Sequence, residues 1–399
     1  MVLTQQRRAA SWRIVHVLRS PVGGLFRHVL DLAAEQSRSG HNVGIICDAS
    51  TGGALAEQQL AAIAMVLRLG TTRVPMARNP GWGDVATLRH VGEVLSSLAP
   101  DIVHGHGAKG GLYARLAKIE SDDIDLDPAR IYTPHGGSLH FRRSRPSGLV
   151  FLGAERFLLR HTDAIIFESE FGAREFRRKI GEPACESAVV HNGLRQADFN
   201  LASHDPDATD FLFLGELREL KGLDVLLYAM ARLWKSGVHE PTLTVVGDGP
   251  DAAALKTQAK PFGKVVRFFP PEPAEKALKR GKCVVLPSRA ESLPYVVLEG
   301  LSSGLPVIAT NVGGIPEIFG NMTSKFVVPP DNVVALASRL GEYLTEPGAF
   351  EASTVELRNH LKEAFSIEAM SASVLDVYGR VIEQPEALTS DSFSELNAY

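Results

Sequence analysis

Short runs of β-branched and other apolar residues recur along the chain, each followed by a turn signal and then by an amphipathic stretch of helical length. That alternation constrains the fold more than any other feature, because it is the pattern of βαβ units laid on a parallel sheet. In the first half the runs are Arg13–Leu18, Asn42–Cys47, Asp101–His104, Arg130–Thr133, Ala164–Glu168 and Ser187–Val190. In the second half they are Phe211–Leu214, Thr242–Val246, Val265–Phe269, Cys283–Leu286, Pro306–Thr310 and Phe326–Val328. Six strands in each half predict two doubly wound α/β domains, and 399 residues is a length that suits two or three domains.

Between the halves, Leu194–Asp210 lacks periodicity and is rich in Asp, Ala and Ser, which reads as a linker. After Pro330 the pattern is helical over Asn332–Leu344, Phe350–Ala364 and Ile367–Glu383. The expected organisation is a first domain over 1–195, a linker over 196–210, a second domain over 211–366, a helix over 367–384 and a frayed tail over 385–399.

Composition excludes several classes. With 45% apolar and 22% charged residues the chain is neither disordered nor collagen-like. A net charge of −4 gives no bulk reason for nucleic-acid binding. The average hides an asymmetry: residues 1–200 carry 24 Lys/Arg against 20 Asp/Glu, and the remainder 18 against 26, so the two halves are expected to face different partners. Cys47, Cys185 and Cys283 are far apart and form no CxxC pair, which supports neither a disulfide framework nor a thiolate metal site and fits a reducing cytoplasm. Near the start the chain reaches RIVHVL where a secretory signal would carry its apolar core. No uninterrupted apolar run approaches the ~18 residues of a membrane span, so any membrane contact is expected to be peripheral.

Chemistry concentrates at strand-to-helix turns. The first strand ends in SPVGG, where Gly23 and Gly24 open the helix Leu25–Ser39; a glycine pair there lets backbone N–H groups approach an anion, and equally suits a plain βα turn. The full GxGxxG fingerprint is absent, which disfavours an NAD enzyme. The second domain opens with Gly215 in GELRELKG, where Arg218 and Lys221 stand three apart at a turn and are able to neutralise a diphosphate leaving group. Next comes VVGDGPD, where Gly247 and Gly249 bring main chain close to whatever lies over the strand ends. The string PSRAESLPYVVLEG places Pro294 at the first turn of a helix, Glu291 in the loop before it and Glu299 within it, so two carboxylates are available to two hydroxylated rings.

These motifs, with GLPVIATNVGGIPE at 304–317, together resemble the retaining family 4 glycosyltransferases of the GT-B fold. In the first half the resemblance includes VGG at 22–24, PDIVHGHGAKGG at 100–111, TPHGG at 133–137, FESEF at 167–171 and VVHNGL at 189–194. It implies two Rossmann-like domains facing a cleft, with the last helix crossing back onto the first domain. It also implies that Lys221 and Arg218 hold the donor diphosphate, Glu299 the ribose hydroxyls, and Glu291 the transferred sugar, helped by main-chain groups of Ser292, Leu293, Pro294 and Tyr295. His135 would lie over the sugar near the reacting carbon, with Gly23 and Gly24 facing the phosphate. The sequence departs from the family at Glu216, where an arginine usually follows the glycine; Arg218 is expected to take over that role.

The reading that follows is a metal-independent retaining hexosyltransferase using a UDP- or GDP-sugar, with no cofactor. The expected acceptor is a cell-surface or exopolysaccharide intermediate on a polyprenyl diphosphate, met in the cytoplasm at the inner face of the membrane. A catalytically silent GT-B module that binds nucleotide or glycan is the alternative of a different class; a GT-B epimerase or a glycogen-type synthase are alternatives among enzymes. Asp123 and Asp125 match the D-x-D form of metal-dependent transferases but lie in the polar connection SDDIDLDP, which reads as a solvated acidic loop. His104 and His106 have ligand-like spacing with no third ligand nearby in sequence, so they read as structural or cleft-lining. Lys109 is a candidate anion contact or a plain surface lysine. Arg142, Arg143, Arg145, Arg156 and Arg160 accompany the apolar stretch Leu149–Leu159, which fits either an anionic lipid surface and phosphate-bearing acceptor or an ordinary core-facing helix with a basic loop. Arg174, Arg177, Arg178 and Lys179 add to the lipid reading.

Overall fold

The computed structural model describes residues 11–120, 127–137, 146–237 and 240–383. These divide into two compact units, one formed by the chain up to Gly193 together with the chain from Ile367 on, the other by Leu194–Ser366.

The first unit is built on a parallel sheet of seven strands: β1 (Arg13–Leu18), β2 (Asn42–Asp48), β3 (Gly70–Val74), β4 (Ile102–His106), β5 (Ala129–Thr133), β6 (Ala164–Phe167) and β7 (Glu186–Val189). Their order is β3-β2-β1-β4-β5-β6-β7, so the winding reverses between β1 and β4. The apolar runs read as strands because central parallel strands bury both faces. On β1, Ile14 and Leu18 pack with Phe26, Val29, Val374 and Tyr378 on one side, and Val15 and Val17 with Val91, Leu95 and Tyr113 on the other. The strand β3, GTTRV, escapes that pattern because it is a polar edge strand paired only with β2. The helix Ile367–Glu383 covers this sheet, burying Ile367, Met370, Val374, Val377 and Tyr378 in the same core.

The second unit carries β8 (Thr209–Leu214), β9 (Leu243–Val246), β10 (Val266–Phe269), β11 (Gly281–Leu286), β12 (Val307–Thr310) and β13 (Val327–Val328), in the order β10-β9-β8-β11-β12-β13 and all parallel. Its winding reverses between β8 and β11. The segment Leu194–Asp210, a linker by composition, is packed onto this unit. Leu194 and Phe199 are buried in its core, Ala202 N–H donates to Ser303 O at 2.9 Å, and Asp205 N–H donates to Lys279 O at 2.9 Å. Two well-placed apolar anchors suffice to dock a chain that lacks periodicity.

In a doubly wound sheet the crevice for a ligand opens at the carboxyl ends of the strands where the order reverses. That rule singles out the turns after β1 and β4 in the first unit and after β8 and β11 in the second.

Candidate active site

In the second unit the turns after β8 and β11 bring the sequence motifs together. Lys221 closes a short 3-10 turn, Glu219–Lys221, and its Nζ lies 2.6 Å from Glu291 Oε1. Ser288 Oγ donates to the same carboxylate oxygen at 2.7 Å. Gly222 makes this approach feasible: its φ is +70°, and an added Cβ would sit 2.0 Å from Pro287 O, so only glycine fits between the two loops. Arg218, partly exposed, pairs with Glu216 at 3.4 Å. The Glu291 loop is backed by the 311–314 segment, where Gly314 N–H donates to Ser292 O at 2.6 Å. Helix Tyr295–Ser302 then starts with Pro294 as its N-cap, one residue later than a Pro at the first helical position. Leu293 and Tyr295 are buried, Ser292 and Pro294 half-buried, and Glu299 is buried on the helix. Gly215 and Gly247 meet where β8 and β9 end.

Arg289 binds these turns and was not singled out by sequence reading. Its Nε donates to Asp331 at 2.6 Å, its terminal nitrogens donate to Asp224 at 2.9 and 2.7 Å, and its main-chain N–H donates to Leu220 O at 2.8 Å. The Asp224 carboxyl is held below the usual carboxylate range by this arginine, although its partial burial acts the other way and more strongly as a single cause.

In the first unit the helix Gly23–Arg38 follows β1 with Val22 as an extended N-cap that makes no side-chain cap. Gly23 has φ +68° with no neighbour in the space a Cβ would take. Gly24 is exposed beside it. Lys109 is engaged by Asp84 at 2.5 Å and lies near the Tyr113 ring, so an anion would have to compete for it.

His135 follows β5 in a left-handed conformation, φ +48°, which costs a non-glycine residue about 1–2 kcal/mol and marks a functional candidate. Both its ring nitrogens are held: Nδ1 lies 2.6 Å from Glu168 Oε1 and Nε2 lies 3.0 Å from His106 Nδ1. What the residue offers a substrate in this conformation is its main chain and ring edge. His106 Nε2 in turn lies 2.9 Å from His16 Nδ1, and His16 Nε2 2.8 Å from Gln36 Oε1. His28 packs edge-on to His135, with centroids 4.7 Å apart, and its Nδ1 lies 2.9 Å from Asn192 Oδ1. Burial lowers the ring of His16 to about 4; burial and then the neighbouring His135 lower His28 to about 3. His104 and His106 lie well below the ordinary histidine value, again chiefly through burial. Glu168 lies in FESEF and Asn192 in VVHNGL, strings that do not by themselves assign either residue a role, and His16 and His28 carry no local signal.

Two trios among the described residues bring nitrogens close enough for a metal ion, His16 with His104 and His106, and His28 with His106 and His135. Arg142, Arg143, Arg145, Asp123 and Asp125 lie outside the described residues, as does the tail 385–399. Helix Pro146–Leu158 buries Leu152, Glu155 and Leu158 and exposes Leu149, Val150 and Phe157. It is tied down by Glu155, which accepts from buried Arg115 and from Tyr132, both at 2.9 Å. Arg156 and Arg160 are exposed; Arg178 and Lys179 pair with Glu175, and Arg177 with Glu182. No described helix is long and apolar enough to cross a membrane. The three cysteines are free thiols.

Two parallel α/β sheets wound in this way are the GT-B architecture, and the chain superposes on solved proteins of that kind. Sucrose-phosphate synthase of Thermosynechococcus elongatus matches with a TM-score of 0.75 at 18% identity, covering 93% of this chain and 99% of that one. Anabaena Alr3699/HepE, solved with UDP and glucose, matches with a TM-score of 0.74 at 16% identity over 92% and 98%. Residues 22–196 match the family described as Glycosyltransferase Family 4, and residues 195–365 that described as Glycosyl transferases group 1. The chain belongs to the family 4 glycosyltransferases of GT-B fold. Among characterised relatives, a glycogen synthase of Mycobacterium tuberculosis is 24% identical over 393 residues, covering 92% of this chain and 93% of that protein. A D-inositol 3-phosphate glycosyltransferase of Streptomyces bingchenggensis is 30% identical over 254 residues, 57% of this chain and 55% of that protein.

Proposed function

We propose that the protein is a retaining hexosyltransferase that moves a sugar from a nucleoside diphosphate to a hydroxyl acceptor. The observation that carries this reading is the meeting of Lys221 and Glu291 at 2.6 Å where the turns after β8 and β11 converge. Paired in this way, each neutralises the other. A bound donor would draw Lys221, with Arg218, to its diphosphate and leave Glu291 to the sugar hydroxyls, while Glu299 takes the ribose. Breaking the bond from C1 to the diphosphate oxygen leaves positive charge on the ring and negative charge on the leaving oxygen, so cations fixed at the diphosphate stabilise the transition state. The acceptor oxygen bonds to C1 on the same face and its proton passes to the leaving phosphate oxygen. This transfer calls for no metal or cofactor. Gly23 and Gly24 supply main-chain donors for the phosphate, and His135 the group nearest the sugar.

The donor is tested by calorimetric titration with UDP, GDP and ADP and then with the sugar forms of whichever binds, UDP-glucose first because HepE was solved with it. Binding of a single nucleoside diphosphate supports the reading. Binding of none, with or without a glycan acceptor present, favours the catalytically silent GT-B module.

For the acceptor we favour a lipid-linked glycan intermediate, a polyprenyl diphosphate, reached at the cytoplasmic face of the membrane. Leu149, Val150 and Phe157 are 61, 70 and 53% exposed on one helix, beside exposed Arg156 and Arg160, a combination suited to anionic headgroups. Co-sedimentation with anionic liposomes at low salt, lost at high salt, is the expected result; no co-sedimentation at low salt removes the membrane part of the reading.

A further inference from the structure

His16, His104 and His106 bring three imidazoles onto one face of two adjacent strands. His16 and His104 are register partners across the β1–β4 pairing, and His106 lies two residues past His104, so strand periodicity turns all three to the same side. Ring centroids are 4.0 Å apart for His104 and His106, 5.2 Å for His16 and His106 and 5.5 Å for His16 and His104. All three side chains are buried, and one nitrogen of each lies within 4.8 Å of the others.

We propose that these three imidazoles bind one divalent transition-metal ion of the zinc class. The inference stands independently of the donor and acceptor assigned above.

Hydrogen counting along the chain of side chains is compatible with it. Gln36, His16, His106, His135 and Glu168 make four successive contacts, each needing one hydrogen, whereas three neutral rings bring three. With an ion in the gap between His16 Nδ1 and His106 Nε2 the count closes. His16 Nε2–H donates to Gln36 Oε1, His106 Nδ1–H to His135 Nε2, and His135 Nδ1–H to the Glu168 carboxylate. Each ring then ligates or accepts with one nitrogen and donates with the other, the usual outer-shell arrangement of metal-bound histidine. Without the ion the fourth hydrogen comes from Gln36, its amide turned so that Nε2 donates to His16. Among the described residues the Nε2 of fully buried Gln36 has no partner, and turning the amide towards His16 would give it one.

His104 is the third ring of the trio, and hydroxyls hold both its nitrogens, Tyr378 at 2.6 Å and Thr133 at 2.8 Å. Ligation through one nitrogen displaces its hydroxyl, while the other nitrogen stays held. Tetrahedral zinc with bonds of about 2.0–2.1 Å places ligand nitrogens about 3.3 Å apart, so the 2.9 Å gap between His16 and His106 opens by only about 0.4 Å. An all-nitrogen donor set selects zinc, nickel or copper over magnesium and calcium, which take oxygen. Glu168, at the end of the chain, supplies the compensating negative charge.

The test uses the untagged full chain, stripped with chelator and dialysed against Zn2+, with Co2+ as a spectroscopic probe. The expected result is one tightly held equivalent, a raised thermal midpoint, and tetrahedral Co2+ absorption bands in the visible. His16→Gln and His104→Gln should each weaken binding on the order of 100-fold, whereas His28→Gln, outside the trio although its ring lies 5.6 Å from that of His106, should change it less than about threefold. A wild-type chain that holds no equivalent of either ion overturns the proposal even if the variants fail to fold. So does loss of binding in His28→Gln with retention in His104→Gln, which would place the ion on the other trio.

Discussion

Arg289 grips Asp224 with both terminal nitrogens, at 2.9 and 2.7 Å, across 65 residues of chain. The same guanidinium reaches Asp331, and it also donates to the main-chain oxygen of Glu219. The turn that carries Arg218 and Lys221 is therefore fixed to the loop that carries Glu291 by a residue that need not touch a substrate. Arg289→Lys keeps the charge and loses the fork, so the turn should loosen. Nucleoside diphosphate affinity should fall about 10-fold while stability drops by about 1 kcal/mol, because the ion pairs are partly exposed. Calorimetry beside urea melts separates the two; a loss of affinity no larger than the loss of stability would make Arg289 a purely structural group.

Removing Lys221 should act on binding far more than on folding. Lys221→Ala is expected to weaken nucleoside diphosphate binding on the order of 100-fold, about 2.7 kcal/mol, and to lower stability by about 1 kcal/mol. Glu291→Ala should weaken the intact sugar donor more than the free nucleotide. Equal weakening of both would place the sugar contact elsewhere.

Two glycines with nearly the same backbone angle should respond differently to the same substitution. Gly222, at φ +70°, has Pro287 O where a Cβ would go, so Gly222→Ala must displace main chain and should cost about 3 kcal/mol or more. Gly23, at φ +68°, opens onto free space. Gly23→Ala should cost only the conformational strain, about 1–2 kcal/mol, yet crowd the helix start that is read as a phosphate contact. Thermal melts with donor titrations check the pair, and a Gly23→Ala protein that binds donor normally would remove that helix start from the site.

What was legible in the sequence follows from how far apart the cooperating residues lie. Buried parallel strands announce themselves as apolar runs, so twelve of the thirteen strands were readable, and β3 was not because its Thr71, Thr72 and Arg73 are polar at an edge. Glu291 and Glu299 share one loop-helix string, and Arg218 and Lys221 one turn. Arg289 was hidden because its partners, Asp224 and Asp331, are 65 and 42 residues away. The histidine cluster was hidden for a topological reason: β1 and β4 are neighbours only through the reversal of winding, so the third ring beside His104 and His106 comes from His16, far upstream.

That cluster should make the protein sensitive to acid in the chelator-stripped state. Ordinary histidine titrates near 6.5, whereas burial lowers His16 to about 4 and His28 to about 3 and leaves His104 and His106 well below the ordinary value. Between those values and 6.5 the unfolded chain binds protons that the folded chain refuses, so stability is complete above pH 6.5 and is lost as the pH falls below it. The direction is opposite to that of a histidine stabilised by a carboxylate partner. His16 and His28 should each remove about 2 kcal/mol between pH 7 and pH 5, and His104 and His106 act in the same direction. Urea melts at the two pH values should show the loss, and His28→Gln, which has one such ring fewer, should show a slope shallower by about one proton. If the variant and the parent lose stability equally, His28 is already protonated in the folded protein and the neutral state assigned to it is wrong.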